Sequence, residues 1–241
     1  MVACSQTTAT AANASAGSAA APAAGTPEAV IRQNLAQRLD QLPPIQDVRP
    51  TPMPGLYEVN LGPAGIFYTD AKGDFLIQGA MMDTQTKRNL TQERMDALNA
   101  IDFKSLPLAD AIAIKNGKGT RQIAVFADPN CGYCQRFEAE LKKVPDITAH
   151  VFLFPILGPD SNVKSKNIWC AKDRTKTWDD WMIKKTVPPT AECDTAALDR
   201  NLALGRQHRI TGTPAIVLSS GKRIAGMVDA ATLEKMLAEK P

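Results

Sequence analysis

The chain has 241 residues, is 44% hydrophobic and 22% charged, and carries a formal net charge of +3. That length can bury a substantial core and hold one or two domains, while the weak charge argues against nucleic acid as a partner, which needs a dense basic face. Aromatic residues make up only 5% of the chain, too few for a stacking platform, and no apolar run approaches the roughly 18 residues that a membrane span needs.

The first 25 residues form a leader. Residues 5–25, "SQTTATAANASAGSAAAPAAG", are low-complexity and uncharged, and read as a disordered tether. Ahead of them, "MVAC" resembles the end of a bacterial lipoprotein signal, which makes Cys4 a candidate for lipidation. Neither a charged n-region nor an apolar h-region is present, so an export signal is expected to have been removed or to lie upstream.

Folded structure is expected from Thr26-Pro27-Glu28, a cap, a first-turn proline and an acidic residue suited to the start of a helix. Ile31, Leu35, Leu39 and Leu42 follow at helical spacing until Pro43-Pro44. "RPTPMPG" reads as a connection. "LYEVNL", "IFYT" and "FLIQG", separated by the turns "GPAG" and "DAKGD", read as an antiparallel meander. A helix and three strands over residues 26–90 make a small core, and such a unit gains most by pairing with a second copy through a strand edge. Residues 91–106 read as a helix joining two domains, with Thr91 as its cap and Met95, Leu98 and Ile101 on one side.

From residue 107 the pattern changes. "QIAVFA" suits a strand buried on both faces and leads through Asp128-Pro129-Asn130 into Cys131 and a helix. "ITAHVFLFP" is a second buried strand. A helix-rich excursion covers about 159–206, followed by the strand "ITGTPAIVL", a turn and strand in "SSGKRIAG", and a last helix. Strand, helix, strand, helical excursion, strand, strand, helix is the order of a thioredoxin fold.

The five cysteines divide unevenly. Cys170 and Cys193 are a wide pair, either cross-linked or two buried thiols. A bridge would suit an oxidising compartment and contribute roughly 3 kcal/mol on the chain-entropy model. Cys131 and Cys134 are a close pair within "CGYC". Residues i and i+3 of a helical turn lie within reach of a disulfide. The first of them, at the helix N-terminus, meets unpaired N–H groups and the positive dipole end, which stabilise a thiolate. Cys131 is therefore the expected nucleophile and Cys134 the sheltered resolving thiol. Gly132 leaves one approach open and Tyr133 adds an aromatic edge. A zinc site lacks ligands, because the other cysteines are far apart and His150 and His208 show no paired spacing. In "TGTPA", Pro214 cannot donate to a ladder and belongs at an edge or irregular position, with a trans bond as the local default.

"FADPNCGYC", "IWCAKDRTKTWDDWM", Cys193 and "ALGRQHRITGTPAIVLSSG" together resemble the DsbC-type periplasmic disulfide isomerases, over roughly residues 27–240. The resemblance implies an α/β architecture: a small α+β dimerisation domain, a linker helix, and a thioredoxin-fold catalytic domain over 107–241 with a helical insertion. It implies a homodimer, a Cys170–Cys193 structural disulfide, and a cis Pro214 that faces Cys131 across the groove with Thr213. It further implies misfolded disulfide-containing exported proteins as substrates, a DsbD-type membrane reductant and no cofactor. The leader and Cys4 are additions to that pattern and raise the alternative of a membrane tether. A DsbG-like reductase of sulfenylated cysteines usually has Pro where Gly132 stands. A DsbA-like oxidase usually has Pro-His between its cysteines and lacks the amino-terminal region. A redox-independent chaperone would use the dimer cleft alone.

Overall fold

The computed structural model describes residue 23 and residues 25–239, so Cys4 and the leader reading lie outside the described residues. The chain divides between Thr91 and Gln92 into two compact units.

In the first unit, helix α1 (Pro27–Arg38) starts at Thr26, whose side chain accepts the Ala29 N–H at 3.3 Å. Ile31 and Leu35 are its buried positions. The apolar spacing suggests a longer helix, but α1 stops before Leu39, which turns extended and is 39% exposed. Four antiparallel strands follow in the spatial order β1 (Asp47–Pro50), β2 (Leu56–Asn60), β3 (Ile66–Asp70), β4 (Leu76–Gln78). Strand β1 is one more than the sequence pattern shows. Its Pro50 sits at an edge, where a missing donor is tolerated. Val48, Val59 and Leu61 meet Ile31 and Leu35 in a small core. Glu58, on the polar side of β2, is nevertheless buried and pairs with Arg49 opposite it at 3.1 Å. A two-residue ladder, β5 (Met82–Asp83) with β6 (Arg88–Asn89), closes the unit.

Helix α2 (Leu90–Leu98) crosses the division between the units. Thr91 does not cap it; its hydroxyl accepts the Met81 N–H at 2.8 Å. The helix also ends well before residue 106. Beyond it, Ile101, Phe103 and Leu106 leave helical periodicity and become part of a core.

The second unit is a five-stranded sheet in the order β11-β10-β8-β9-β7. Strands β7 (Ile112–Asn116), β8 (Arg121–Ala127) and β9 (Ile147–Leu153) precede and follow helix α3 (Gly132–Leu141). The insertion holds α4 (Pro159–Cys170), α5 (Arg174–Met182) and α6 (Ala196–Gln207), then β10 (Ala215–Leu218), β11 (Arg223–Ala225) and α7 (Ala230–Ala238) complete the unit. Strands β8 and β9 run parallel, joined through α3 as a β-helix-β element, and the other pairs of this sheet are antiparallel. Edge strand β7 is absent from the sequence reading, because its Ile112 and Ile114 alternate too briefly to stand out.

Strand β8 lacks polar alternation because both its faces are covered. Ile123, Val125 and Ala127 join one core with Phe137, Leu141 and Trp178. Ala124 and Phe126 join another with Phe152, Phe154 and Val217. Phe126 stacks on Phe152 with centroids 5.0 Å apart and meets Phe154 edge-on at 5.8 Å. Gly205 of α6 lies against this cluster, and a Cβ there would fall 2.3 Å from Phe154 Cε2. Gly205→Ala is therefore expected to destabilise the protein by about 1–3 kcal/mol in urea unfolding, despite alanine's higher helix propensity.

Between α3 and α5 lies a buried acid. Glu138 Oε1 accepts the Trp178 Nε1–H at 2.8 Å, while Glu138 Oε2 and Asp179 Oδ1 are buried without a protein partner. Burial pushes the Glu138 carboxyl up to about 7, with the Trp178 bond opposing and the Asp179 charge adding to the rise. The folded state thus keeps a proton that the unfolded chain, near the ordinary 4.5, releases. Stability conferred by that proton is complete below pH 4.5 and is lost as pH rises through about 7. Glu138→Gln is expected to exceed the wild type by up to about 3 kcal/mol at pH 8, with the difference vanishing near pH 4 in unfolding titrations.

Candidate active site

Sheet register builds the site. Antiparallel pairing of β10 with β8 sets Ala215 opposite Phe126, so the start of β10 lies beside the end of β8. Thr213-Pro214 just ahead of β10 is thereby brought to Asp128-Pro129-Asn130 and Cys131, just beyond β8. The local default of a trans bond does not hold: the Thr213–Pro214 peptide is cis. Pro214 offers no donor, and its carbonyl accepts the Gly226 N–H at 2.8 Å.

Cys131 is the N-cap of α3. Its Sγ accepts the Cys134 backbone N–H at 3.2 Å and lies 3.3 Å from the Thr213 carbonyl oxygen, to which the thiol donates. Both cysteines are free thiols, with Cys131 5% and Cys134 1% exposed. The Cys134 side chain's hydrogen bond, outweighing burial and helped by Thr213 and the backbone N–H groups of Cys134 and Tyr133, holds the Cys131 thiol down at about 6. Burial drives the Cys134 thiol far upward, and the hydrogen bond and negative charge of Cys131 add to that rise. One sulfur is thus prepared as a thiolate and the other kept protonated.

Gly132 opens the helix with nothing within 4 Å of an added Cβ. Tyr133 is 60% exposed, with the Arg136 guanidinium 5.4 Å from its ring centroid. Thr213 is half-buried and Pro214 buried. Cys170 and Cys193 are joined by a disulfide at the end of α4, outside this cluster.

One further group is invisible as a motif. Asp128 is fully buried and its carboxylate accepts four hydrogen bonds: Asn130 N–H at 2.8 Å, Ser161 Oγ–H at 2.7 Å, Ile156 N–H at 2.8 Å and Leu157 N–H at 2.9 Å. Its own carbonyl accepts the Cys131 N–H at 3.0 Å. An Asp-Pro-Asn run signals a turn, but not that its carboxylate is interior. Burial and Phe103 surround His150, whose Nε2 lies 3.1 Å from Gln122 Oε1, away from the cysteines in sequence and fold. Among the described residues, no three His, Cys, Asp or Glu side chains are grouped to hold a metal.

The chain is similar to known proteins. Residues 108–240 match the thioredoxin-like domain family and residues 12–92 the disulfide bond isomerase N-terminal domain family. A probable thiol:disulfide interchange protein DsbC of Bordetella pertussis is 44% identical over 207 residues, covering 86% of this chain and 73% of that protein. The thiol:disulfide interchange protein DsbC of Escherichia coli K12 is 34% identical over 219 residues, covering 88% of each. The crystal structure of a disulfide interchange protein from Neisseria gonorrhoeae aligns with TM-score 0.53 and 36% identity, over 55% of this chain and 96% of that one. The amino-terminal match supports a homodimer. With both of its domain families matched and a reduced CGYC pair at a helix N-terminus, the chain belongs to the DsbC family of thiol:disulfide interchange proteins, the disulfide isomerases of the thioredoxin superfamily.

Proposed function

We propose that Cys131 is the nucleophile that shuffles non-native disulfides in exported proteins, and that Cys134 resolves stalled complexes. The observation that carries this is the opposed tuning of the two thiols, with Cys131 at about 6 and Cys134 far above its ordinary value. At neutral pH the Cys131 thiolate attacks one sulfur of a substrate disulfide and forms a mixed disulfide, releasing a substrate thiolate. A substrate thiolate then displaces Cys131, so a bond has moved with no net redox change. When none is in reach, Cys134 gives up its proton and attacks the Cys131 sulfur. Substrate leaves reduced, CGYC becomes a disulfide, and two electrons must come from a DsbD-type membrane carrier.

Gly132 in place of proline favours isomerisation over a DsbG-like reduction of sulfenylated cysteines. The surroundings suit unfolded chains: Tyr133 is exposed beside the nucleophile, and Ile156 and Leu157, whose N–H groups bind Asp128, are 39% and 57% exposed. Thr213 and Pro214 line the groove, and the Cys170–Cys193 bridge is structural. The first unit supplies the dimer contact: Phe75, 72% exposed, and Ile77, 51% exposed, stand at the β4 edge of its sheet. We place the protein in the periplasm. Among the described residues no helix is long and apolar enough to cross a membrane, and a tether through Cys4 is to be read by mass spectrometry of protein from its host.

Alkylation of Cys131 is expected to follow a titration with its midpoint near pH 6, read by mass spectrometry of the reduced protein. Cys131→Ala should abolish refolding of a scrambled multi-disulfide substrate while suppression of aggregation partly survives. Unchanged refolding would refute the isomerase mechanism. Cys134→Ala should accumulate mixed disulfides visible on non-reducing gels. Ile77→Asp is expected to convert a dimer to a monomer in size-exclusion chromatography, with monomers refolding scrambled substrate more slowly.

A further inference from the structure

Helix α5 carries two tryptophans three residues apart, hence on one face, and both donate hydrogen bonds to the segment around CGYC. Trp178 reaches the second turn of α3, at Glu138. Trp181 donates its Nε1–H to the Pro129 carbonyl at 2.6 Å, two residues ahead of Cys131. Lys164 of α4 places its ammonium 4.7 Å from the Trp181 ring centroid and pairs with Asp160. Asp160 Oδ2 in turn accepts the Asn130 Nδ2–H at 2.7 Å. The contacts close a circuit from Pro129 through Trp181, Lys164 and Asp160 to Asn130, next to Pro129. While the Asp128 carboxylate ties the loop to residues 156–161, this second circuit ties it to α4 and α5.

We infer that Trp181 is a positioning residue for Cys131, holding the Pro129 carbonyl so that the Cys131 sulfur stays seated on the N-terminus of α3. Without the indole N–H, Pro129 O keeps only the long 3.4 Å contact from Gln135 Nε2. The carbonyl's negative end is then less compensated, and the loop gains freedom to draw Cys131 Sγ away from the Cys134 N–H. Each change removes stabilisation from the thiolate. Trp178 has no such link to the loop, so its loss removes packing and the Glu138 hydrogen bond and leaves the Pro129 carbonyl untouched. The inference rests on Cys131 being the low-pKa nucleophile.

The test compares wild type, Trp181→Phe and Trp178→Phe by pH-dependent iodoacetamide alkylation of Cys131 in the full reduced chain, with urea unfolding alongside. The wild type is expected to titrate near pH 6. Trp181→Phe should raise the midpoint by roughly 0.5–1 pH unit, whereas Trp178→Phe should lower stability and leave the midpoint in place. Asp160→Ala, at an exposed side chain and so tolerated by the fold, opens the same circuit. Loss of a nearby negative charge would by itself lower the Cys131 midpoint, so a rise reports the slackened loop. Midpoints in Trp181→Phe and Asp160→Ala that stay or fall would overturn the inference. A wild-type Cys131 titrating as an ordinary thiol would instead refute the nucleophile assignment itself.

Discussion

The contact between the Cys131 sulfur and the Cys134 backbone N–H, at 3.2 Å, is both a helix cap and a chemical activation. A helix begins with N–H groups that lack intrahelical partners, and serine, threonine or aspartate commonly satisfies one of them. Here a sulfur does so, and it does so best when it bears the negative charge. Helix α3 is therefore most stable when Cys131 is a free thiolate and less so when that sulfur is bonded. A mixed disulfide and an internal CGYC disulfide both forfeit the charged cap. The cap, which adds to the Cys134 side chain's hydrogen bond in lowering the Cys131 thiol, thus also makes its bonded forms readily surrendered, which is what a catalyst that forms and releases disulfides needs.

The rest of the second unit keeps that sulfur in place. Parallel pairing of β8 with β9 and antiparallel pairing with β10 set Cys131 and Thr213 at one end of the sheet. Four donors hold the Asp128 carboxylate at the turn out of β8, so the chain leaves the sheet and enters the helix along one path. The insertion contributes in kind: Ser161 of α4 is one of those donors, and both α4 and α5 reach the loop between β8 and α3. Burial of Glu138 under Trp178 shows that the α3–α5 contact was not assembled from apolar groups alone.

Local chemistry was legible in the sequence, and long-range partnership was not. CGYC announces itself because its meaning lies in spacing and in the strand-to-helix junction, both local properties. The run in β8 reads correctly as doubly buried because its apolar residues do not alternate. Strand β1 escapes notice because prolines flank it and only Val48 of its four residues is buried. The stretch 99–106 looked helical since Ile101 continues the spacing of Met95 and Leu98, yet that residue is buried because the Ile101 N–H bonds the Gly221 carbonyl at 3.0 Å. Asp128, Glu138 and Trp181 are unremarkable as letters, and each acquires its role only from a residue dozens of positions away.

Gly132 sits between the two cysteines at the mouth of the site, where an added Cβ meets nothing within 4 Å. Gly205, by contrast, is pressed against Phe154. The two glycines mark a division of labour in the chain. Side chains placed at 132 alter the electrical and steric setting of the sulfurs without entering any core, so redox character can drift there while the fold is left alone. In evolutionary terms, the dipeptide between the cysteines is a dial attached to a scaffold that does not feel it turn.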